Sequence, residues 1–119
     1  MRARRRRREA FEPYEQETTA AILEHWKLCG VPGSMVAAIP NKQAHGQPGL
    51  TPGLPDLMVL SPFLGPLTGY IELKRMRLGR LSAAQIAIGG LICERGAPYA
   101  VCRGRDEPIE QLRTWGAIR

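Results

Sequence analysis

The chain has 119 residues, 44% of them hydrophobic, and a formal net charge of +6 at pH 7. A chain of this length can bury one modest core and leaves no room for a second domain with a core of its own. No apolar run approaches the length of a membrane span, and none follows the N-terminal arginines, so we expect neither a membrane protein nor a secretory signal. Three cysteines without paired spacing predict neither a disulfide framework nor a zinc site, which favours a reducing cytoplasm.

Residues 1–12 form a predicted Arg-rich arm. Six of the 17 basic residues lie in this arm, at Arg2 and Arg4 to Arg8, which leaves 11 basic against 11 acidic residues in the rest of the chain. Such a run is too polar to pack into a core, so we expect it to be disordered alone and to release counterions on binding a polyphosphate. A solvated tail without a binding role is the alternative. Residues 13–119 are the predicted folded domain.

A first helix is predicted from about Pro13 to Leu28, because proline suits a first helical turn and a Gly-Val-Pro segment follows the helix. At 100° per residue, Glu15 falls on the apolar face that contains Ile22, Trp26 and Cys29. An acid on such a face needs a partner, and a shared metal ion would supply one. The helix dipole, which favours acids in the first turn, explains Glu15 equally well.

The segment from Met35 to Pro40 predicts a first strand, and a loop rich in glycine and proline follows at residues 41–53. This loop carries Lys42 and His45 and leads directly to an aspartate, Asp56. We expect the loop to be mobile until a ligand binds.

Two further strands carry acidic and basic residues. The segment from Leu54 to Leu60 begins with Pro-Asp, and proline is tolerated only at the start or edge of a strand. The segment from Tyr70 to Lys74 alternates, so Glu72 and Lys74 share one face while the apolar residues between them pack into the core. Turn residues between the segments predict a hairpin, which brings Asp56 beside Glu72 at one edge of the sheet.

Two carboxylates and a lysine in this arrangement suit the hydrolysis of a phosphodiester. Hard cations such as Mg²⁺ bind through one or two carboxylates and keep several waters. The metal lowers the pKa of a bound water and neutralises charge on the phosphate, while Lys74 orients the nucleophile or stabilises the same charge. An exposed ion pair between Glu72 and Lys74, with Asp56 capping a turn, is the alternative. The complete set favours a nuclease with Asp56, Glu72 and Lys74 as catalytic residues.

The next helix is predicted to begin at Ser82 and to stop at Gly96. Ser82-x-x-Gln85 matches the capping-box pattern, in which the glutamine side chain reaches back to the N–H of the serine. Gly89 and Gly90 inside the helix cost about 1 kcal/mol each relative to alanine. Their presence predicts a close approach by another backbone, either from the sheet or from a second subunit.

The segment from Tyr99 to Cys102 predicts a fourth strand, and Asp106 is predicted to cap a short last helix that ends near Trp115. The element order is then αβββαβα. This order predicts an α/β fold with a mixed central sheet flanked by helices.

Three motifs carry a family resemblance. They are Gly53-Leu54-Pro55-Asp56, then Ile71-Glu72-Leu73-Lys74-Arg75, then Leu81-Ser82-Ala83-Ala84-Gln85, followed by Gly96 and a Tyr99-Ala100-Val101-Cys102 segment. From about Tyr14 to about Trp115 the chain resembles the VRR-NUC branch of the PD-(D/E)XK nucleases. An acid followed by E-x-K is a weak pattern alone, and the Gly-x-Pro before Asp56 and the Ser-x-x-Gln after Lys74 make it specific.

The resemblance implies a restriction-endonuclease-like core, dependence on Mg²⁺ or Mn²⁺, and action on DNA that is often branched or flapped. Compact members of this kind are typical of phages and prophages, and some relatives act as homodimers on four-way junctions. The resemblance also implies that Gln85 is an active-site residue and that Glu15 and Leu73 belong to the metal site with Asp56 and Glu72. For Gln85 the capping role remains an equal interpretation.

A group of polar and basic residues flanks these motifs and is expected to bind nucleic acid. A basic cluster follows the catalytic strand, where phosphates would lie. A solvated turn is the alternative for each arginine, and an exposed loop position without a role is the alternative for the histidine. The residues expected to contact nucleic acid are Asn41, Lys42, His45, Arg75, Arg77, Arg80 and Ser82.

Two other function classes remain open from the sequence. A non-catalytic DNA-binding protein would use the arm and the Arg75 to Arg80 cluster, with structural acids, and its DNA affinity would survive loss of Asp56 and Glu72. A nuclease that acts on RNA is not separated from one that acts on DNA by any residue pattern.

Overall fold

The structure is a computed structural model that describes residues 15–40 and 48–119. The described chain contains seven helices and strands. In chain order they are α1 (Glu15–Cys29), β1 (Met35–Ala38), β2 (Leu57–Leu60), β3 (Gly69–Lys74), α2 (Ala83–Glu94), β4 (Tyr99–Arg103) and α3 (Asp106–Thr114). The predicted αβββαβα order and the mixed α/β fold are confirmed. The predicted arm lies outside the described residues, as do Asn41, Lys42 and His45 of the loop before β2.

The four strands form one sheet in the order β1-β2-β3-β4. β1 pairs antiparallel with β2, and β2 pairs antiparallel with β3. β3 and β4 are parallel, and α2 connects them, because a parallel pair needs a crossover that returns the chain to the same end of the sheet. This topology places the N-terminal end of β2 beside the C-terminal end of β3.

The hydrophobic core lies on one face of the sheet, between the strands and helices α1 and α3. Leu57 and Val59 of β2 alternate inward as predicted, and Ile71 and Leu73 do the same on β3. Residues from both helices and from the C-terminal segment complete this core, including Ile22, Leu112, Trp115, Ala117 and Ile118. Helix α2 covers part of the opposite face of the sheet.

The segment after α3 returns to the end of α1. The backbone N–H of Val31 donates to the carbonyl of Ala117 (2.9 Å), and the N–H of Arg119 donates to the carbonyl of Cys29 (3.0 Å). Between them, Ile118 is buried and forms an isolated bridge with Gly30. Residues 117–119 therefore close the core beneath α1. Among the helices of the described chain, none is both long and apolar enough to cross a membrane.

Three sequence-based details are corrected by the structure. The first two strands are shorter than predicted, because β1 ends at Ala38 and the Pro55-Asp56 pair lies before β2. Pro55 has no N–H for the ladder, although the Asp56 N–H still donates to the carbonyl of Ile71 (3.1 Å). Asp106 is not the cap of α3. The N-cap is Arg105, without a side-chain cap, and Asp106 lies in the first turn, where its charge still complements the helix dipole.

The sheet approaches α2 at Gly89, as expected, but through a side chain and not through the backbone. A Cβ atom on Gly89 would lie 2.8 Å from the hydroxyl oxygen of Tyr99, so a side chain rather than a backbone fills this space. Gly90 faces open space, with no atom within 4 Å of such a Cβ.

Candidate active site

The charged pair of β3 is buried. Glu72 is 1% exposed and Lys74 is 7% exposed, because the face of the sheet that carries them lies against α2 and the turn after β3. The alternative of an exposed surface ion pair is therefore wrong. Buried charges are costly unless hydrogen bonds or opposite charges compensate them, so the surrounding contacts decide what this pair can do.

Asp56 lies opposite Glu72 at the edge of the site. Leu57 pairs with Ile71 and Met58 with Tyr70, and continuing this register by one residue brings Asp56 to Glu72. The Oδ2 atom of Asp56 accepts the backbone N–H of Leu73 over 2.7 Å. The predicted convergence of the two acids is therefore present in the structure.

The backbone of Leu73 faces this same edge. In a strand, the N–H and C=O of one residue point to the same side, and the Leu73 N–H is bonded to Asp56. The carbonyl of Leu73 is thus directed toward the Asp56 side of β3, just beyond the N-terminal end of β2. The carbonyl of Leu73 and the carboxylate of Asp56 therefore lie at the same edge of β3, one residue from Glu72.

Gln85 connects the start of α2 to Glu72. Its Oε1 atom accepts the N–H of Ser82 (2.8 Å), and its own N–H donates to the Ser82 hydroxyl (3.1 Å), which completes a capping box. Its Nε2 atom donates to Oε1 of Glu72 (3.0 Å). The same side chain therefore caps the start of α2 and donates a hydrogen bond to the buried acid Glu72.

Gly53 sets the distance between the Asp56 loop and α2. Its φ of +91° lies in the left-handed region that favours glycine. A Cβ at this position would lie 2.6 Å from the backbone carbon and oxygen of Ala84, in the first turn of α2. The loop that carries Asp56 is thus packed directly on the helical turn that carries Gln85.

The basic turn, residues 75–80, follows Lys74 and folds back on it. A Cβ on Gly79 would lie 3.0 Å from Cδ of Lys74, so the turn contacts the aliphatic part of that side chain. Arg103, at the end of β4, holds the turn closed: its Nη1 atom donates to the carbonyls of Arg75 (3.1 Å) and Gly79 (2.6 Å). The turn therefore has a fixed position beside the site.

Sequence reasoning missed Arg103. The available signal was alternation along β4, because Tyr99, Val101 and Arg103 share the face of the sheet that carries Glu72 and Lys74. The parallel register that places Arg103 beside Lys74 could not be read from the local sequence.

Tyr99 was also missed as a neighbour of the acids. Burial raises the pKa of the Tyr99 phenol above its usual value, and the nearby charges of Glu72, Cys93 and Asp56 raise it further. A phenol that stays protonated can donate a hydrogen bond on this face of the sheet.

Of the predicted metal ligands, Asp56, Glu72 and Leu73 are brought together. Glu15 is the first residue of α1, and its side chain lies outside what the structure describes. In the described part of the chain, no three His, Cys, Asp or Glu side chains form a group that could hold a metal. Two carboxylates and one backbone carbonyl nevertheless match the oxygen ligands that Mg²⁺ and Mn²⁺ prefer, so the donor set fits such an ion.

Comparison with known proteins gives a family. Two solved structures share the fold: a "VRR_NUC domain protein" (TM-score 0.71, 18% identity, 87% of this chain and 88% of that one) and a "VRR_NUC domain" (TM-score 0.58, 19% identity, 84% and 94%). No curated protein matches the sequence. The family model described as VRR-NUC domain matches residues 3–106, and such a domain implies nuclease activity on DNA. The chain, matched over far more than half its length, belongs to the VRR-NUC family.

Proposed function

We propose that the protein is a metal-dependent DNA endonuclease that hydrolyses phosphodiester bonds and selects its substrates by structure. The observation that supports this proposal is that Asp56 accepts the Leu73 N–H and lies in register with Glu72, on the strand that carries the buried Lys74. In a merely structural role, two buried charges on a strand would be better replaced by apolar residues of similar size.

The proposed metal ligands are the carboxylates of Asp56 and Glu72 and the carbonyl of Leu73, with Glu15 as a further acid. A bound Mg²⁺ or Mn²⁺ ion would lower the pKa of a water molecule and neutralise charge that develops on the scissile phosphate. Asp56 is held in place by the Leu73 N–H, and Glu72 by the Gln85 amide. These two hydrogen bonds fix the carboxylates before any substrate arrives.

Lys74 is the proposed group that orients the attacking water or stabilises the phosphate. Its ammonium carries a positive charge, and its stem lies under Gly79 of the basic turn. Burial strengthens the interaction of this charge with a phosphate, because water screens it less. Gln85 acts by keeping Glu72 oriented toward the same place.

The proposed substrate is branched or flapped DNA, including four-way junctions. The arginines of the basic turn, with Ser82 at the start of α2, are proposed to contact phosphates next to the cleaved bond. Asn41, Lys42 and His45 of the loop before β2, and the N-terminal arm, are proposed to add contacts. A homodimer would supply the two cuts that a four-way junction needs.

The three cysteines are free thiols, which suits the reducing cytoplasm of a bacterial or phage-infected cell as the proposed place of action.

The test is cleavage of labelled linear duplex, flap, four-way-junction and single-stranded DNA, and of RNA, in Mg²⁺, Mn²⁺ or EDTA. The wild type is compared with Asp56→Asn, Lys74→Ala and a control, Glu24→Gln, which changes an exposed carboxylate on α1. We expect metal-dependent cutting of branched DNA by the wild type and by the control, and loss of cutting in the other two variants.

A non-catalytic DNA-binding protein is the second candidate, because the basic turn is fixed and presents arginines. It predicts that all four proteins bind DNA and that none cuts it under any metal. That result would replace the proposed function.

A further inference from the structure

The basic turn presents apolar as well as basic side chains. Its sequence is Arg75-Met76-Arg77-Leu78-Gly79-Arg80, in which arginine alternates with a large apolar residue as far as Leu78. Met76 is 51% exposed and Leu78 is 41% exposed, although both lie next to a site for a polyanion. A turn that only bound phosphates would gain nothing from exposed methionine and leucine side chains.

The turn is held in one conformation by contacts at both of its ends. Nη1 of Arg103 bonds two of its carbonyls, and the Gly104 N–H donates to the carbonyl of Lys74 (2.9 Å). Gly104 also makes room for the turn, because a Cβ there would lie 2.9 Å from Cε of Met76. Apolar groups on a fixed turn lose little conformational entropy when they meet a partner.

The chemistry of the turn selects the partner. Three arginines within six residues favour phosphates, and the apolar side chains between them favour a surface without charge. DNA exposes whole base faces beside the phosphate backbone where stacking is interrupted, and these faces are a large uncharged surface. Proteins that bind the minor groove insert Phe, Leu, Ile, Met or Pro side chains between base steps, which shows that such side chains can contact base faces.

We propose that Met76 and Leu78 contact base faces exposed at a branch point while the arginines of the turn bind the flanking phosphates. This inference rests on the proposed function and names the residues that give it structure selectivity. Continuous duplex DNA keeps its base faces stacked, so there the turn can use only its arginines. The contact of Gly79 with Lys74 places the recognised branch beside the cleaved bond.

The experiment measures binding without cleavage, in the Asp56→Asn background. Four-way-junction DNA and linear duplex DNA carry 2-aminopurine at the branch or at the matching position, and affinity and fluorescence are recorded over a range of salt. A double variant that carries both Met76→Ala and Leu78→Ala is compared with the parent protein. A control variant, Phe63→Ala, is compared with the same parent. Phe63 is 73% exposed but lies in the β2–β3 connection, at the far end of the hairpin from Asp56.

We expect the double variant to lose about tenfold in affinity for the junction, because it removes both apolar contacts with bases. Its affinity for linear duplex and the slope of affinity against salt should stay unchanged, since the arginines remain. The 2-aminopurine signal on the junction should fall with the double variant and persist with the control.

A second variant tests the same contact by strengthening it. Leu78→Phe places an aromatic ring on the turn, which stacks on a base more strongly than leucine, and should raise the preference for the junction over the duplex. Equal losses on junction and duplex, no loss on either, or a change in oligomeric state in the double variant would each overturn the proposal. Because these readouts need no cleavage, failure of the wild type to cut DNA would refute the proposed function separately.

Discussion

The amide of Gln85 is bonded at both ends: its oxygen accepts the Ser82 N–H, and its nitrogen donates to Glu72. The same side chain thus starts helix α2 and restrains the buried carboxylate on β3. This position therefore contributes both to helix stability and to the candidate site, and suitable substitutions separate the two contributions.

Gln85→Glu should keep the capping box, because glutamate accepts the same N–H. It replaces the donor to Glu72 with a second carboxylate, and two like charges at hydrogen-bond distance repel one another and raise the pKa of the pair. We expect a loss of cutting of about a hundredfold with little loss of helix. Gln85→Ala should lose both the cutting and about 1 kcal/mol of stability. Cleavage rates and thermal unfolding of the two variants provide the check, and full activity in Gln85→Glu would contradict the role of this hydrogen bond.

Gly53→Ala should separate the Asp56 loop from α2. The new Cβ meets the backbone of Ala84, which cannot move without shifting the first turn of the helix. Gly49→Ala is the matched control, because Gly49 has a similar φ of +85° but open space around its Cα. The control should lose about 1 kcal/mol through backbone strain alone, and Gly53→Ala should lose more. Unfolding in denaturant measures both, and equal losses would show that the Ala84 contact is unimportant.

Neighbouring glycines in α2 should respond with opposite signs. Gly89→Ala drives a methyl group into the ring of Tyr99 and should destabilise the fold. Gly90→Ala meets nothing and should stabilise the helix by about 1 kcal/mol, since alanine is the better helix former. The midpoints of thermal unfolding of the two variants, relative to the wild type, test these opposite changes in stability. A destabilised Gly90→Ala protein would indicate that another molecule packs on this helix face.

Arg103→Met should release the basic turn. The variant keeps most of the side-chain volume but loses both hydrogen bonds to the turn carbonyls. We expect trypsin to cut after Arg75 and Arg77 several times faster, because a protease needs a locally open backbone. Arg95→Met, an exposed arginine at the end of α2, is the control. Unchanged cleavage after the turn arginines in Arg103→Met would mean that other contacts hold the turn.

The thiol of Cys102 predicts a pH dependence of stability. Burial, with a smaller contribution from the charge of Glu107, raises its pKa from 9.0 to about 11. Between these values the unfolded chain loses the proton while the folded chain keeps it, so the free energy of unfolding falls as pH rises from about 9 to 11. Relative to Cys102→Ala, the wild type should lose on the order of 1 kcal/mol per pH unit in this range. Denaturant unfolding of the two proteins between pH 9 and 11 measures the difference, and equal slopes would contradict the prediction.

Local sequence patterns predicted the sheet and much of the site. Alternation on β3 correctly placed Glu72 and Lys74 on one face, and the hairpin residues brought Asp56 to the same edge. The capping pattern at Ser82 gave the start of α2 to within one residue. These features depend on neighbours along the chain, which is why the sequence alone was enough.

Features that depend on distant segments were not predictable. The burial of Glu72 follows from the docking of α2 on the sheet. The hydrogen bonds from Arg103 to the basic turn follow from the parallel register of β3 and β4. The contact between Gly53 and Ala84 joins two segments separated by the whole hairpin. Each requires the tertiary fold, and no local periodicity encodes it.

The pairing of residues 117–119 with the end of α1 bears on how the protein is made. Ala117 and Ile118 supply buried core, and Arg119 bonds Cys29, so contacts of very high sequence separation complete the domain. A nascent chain that ends before Ile118 lacks these contacts, so part of the core against which its first helix packs is still missing. Because residues 117–119 follow all the other core segments in the chain, the core of this domain can be completed only after those segments have been synthesised.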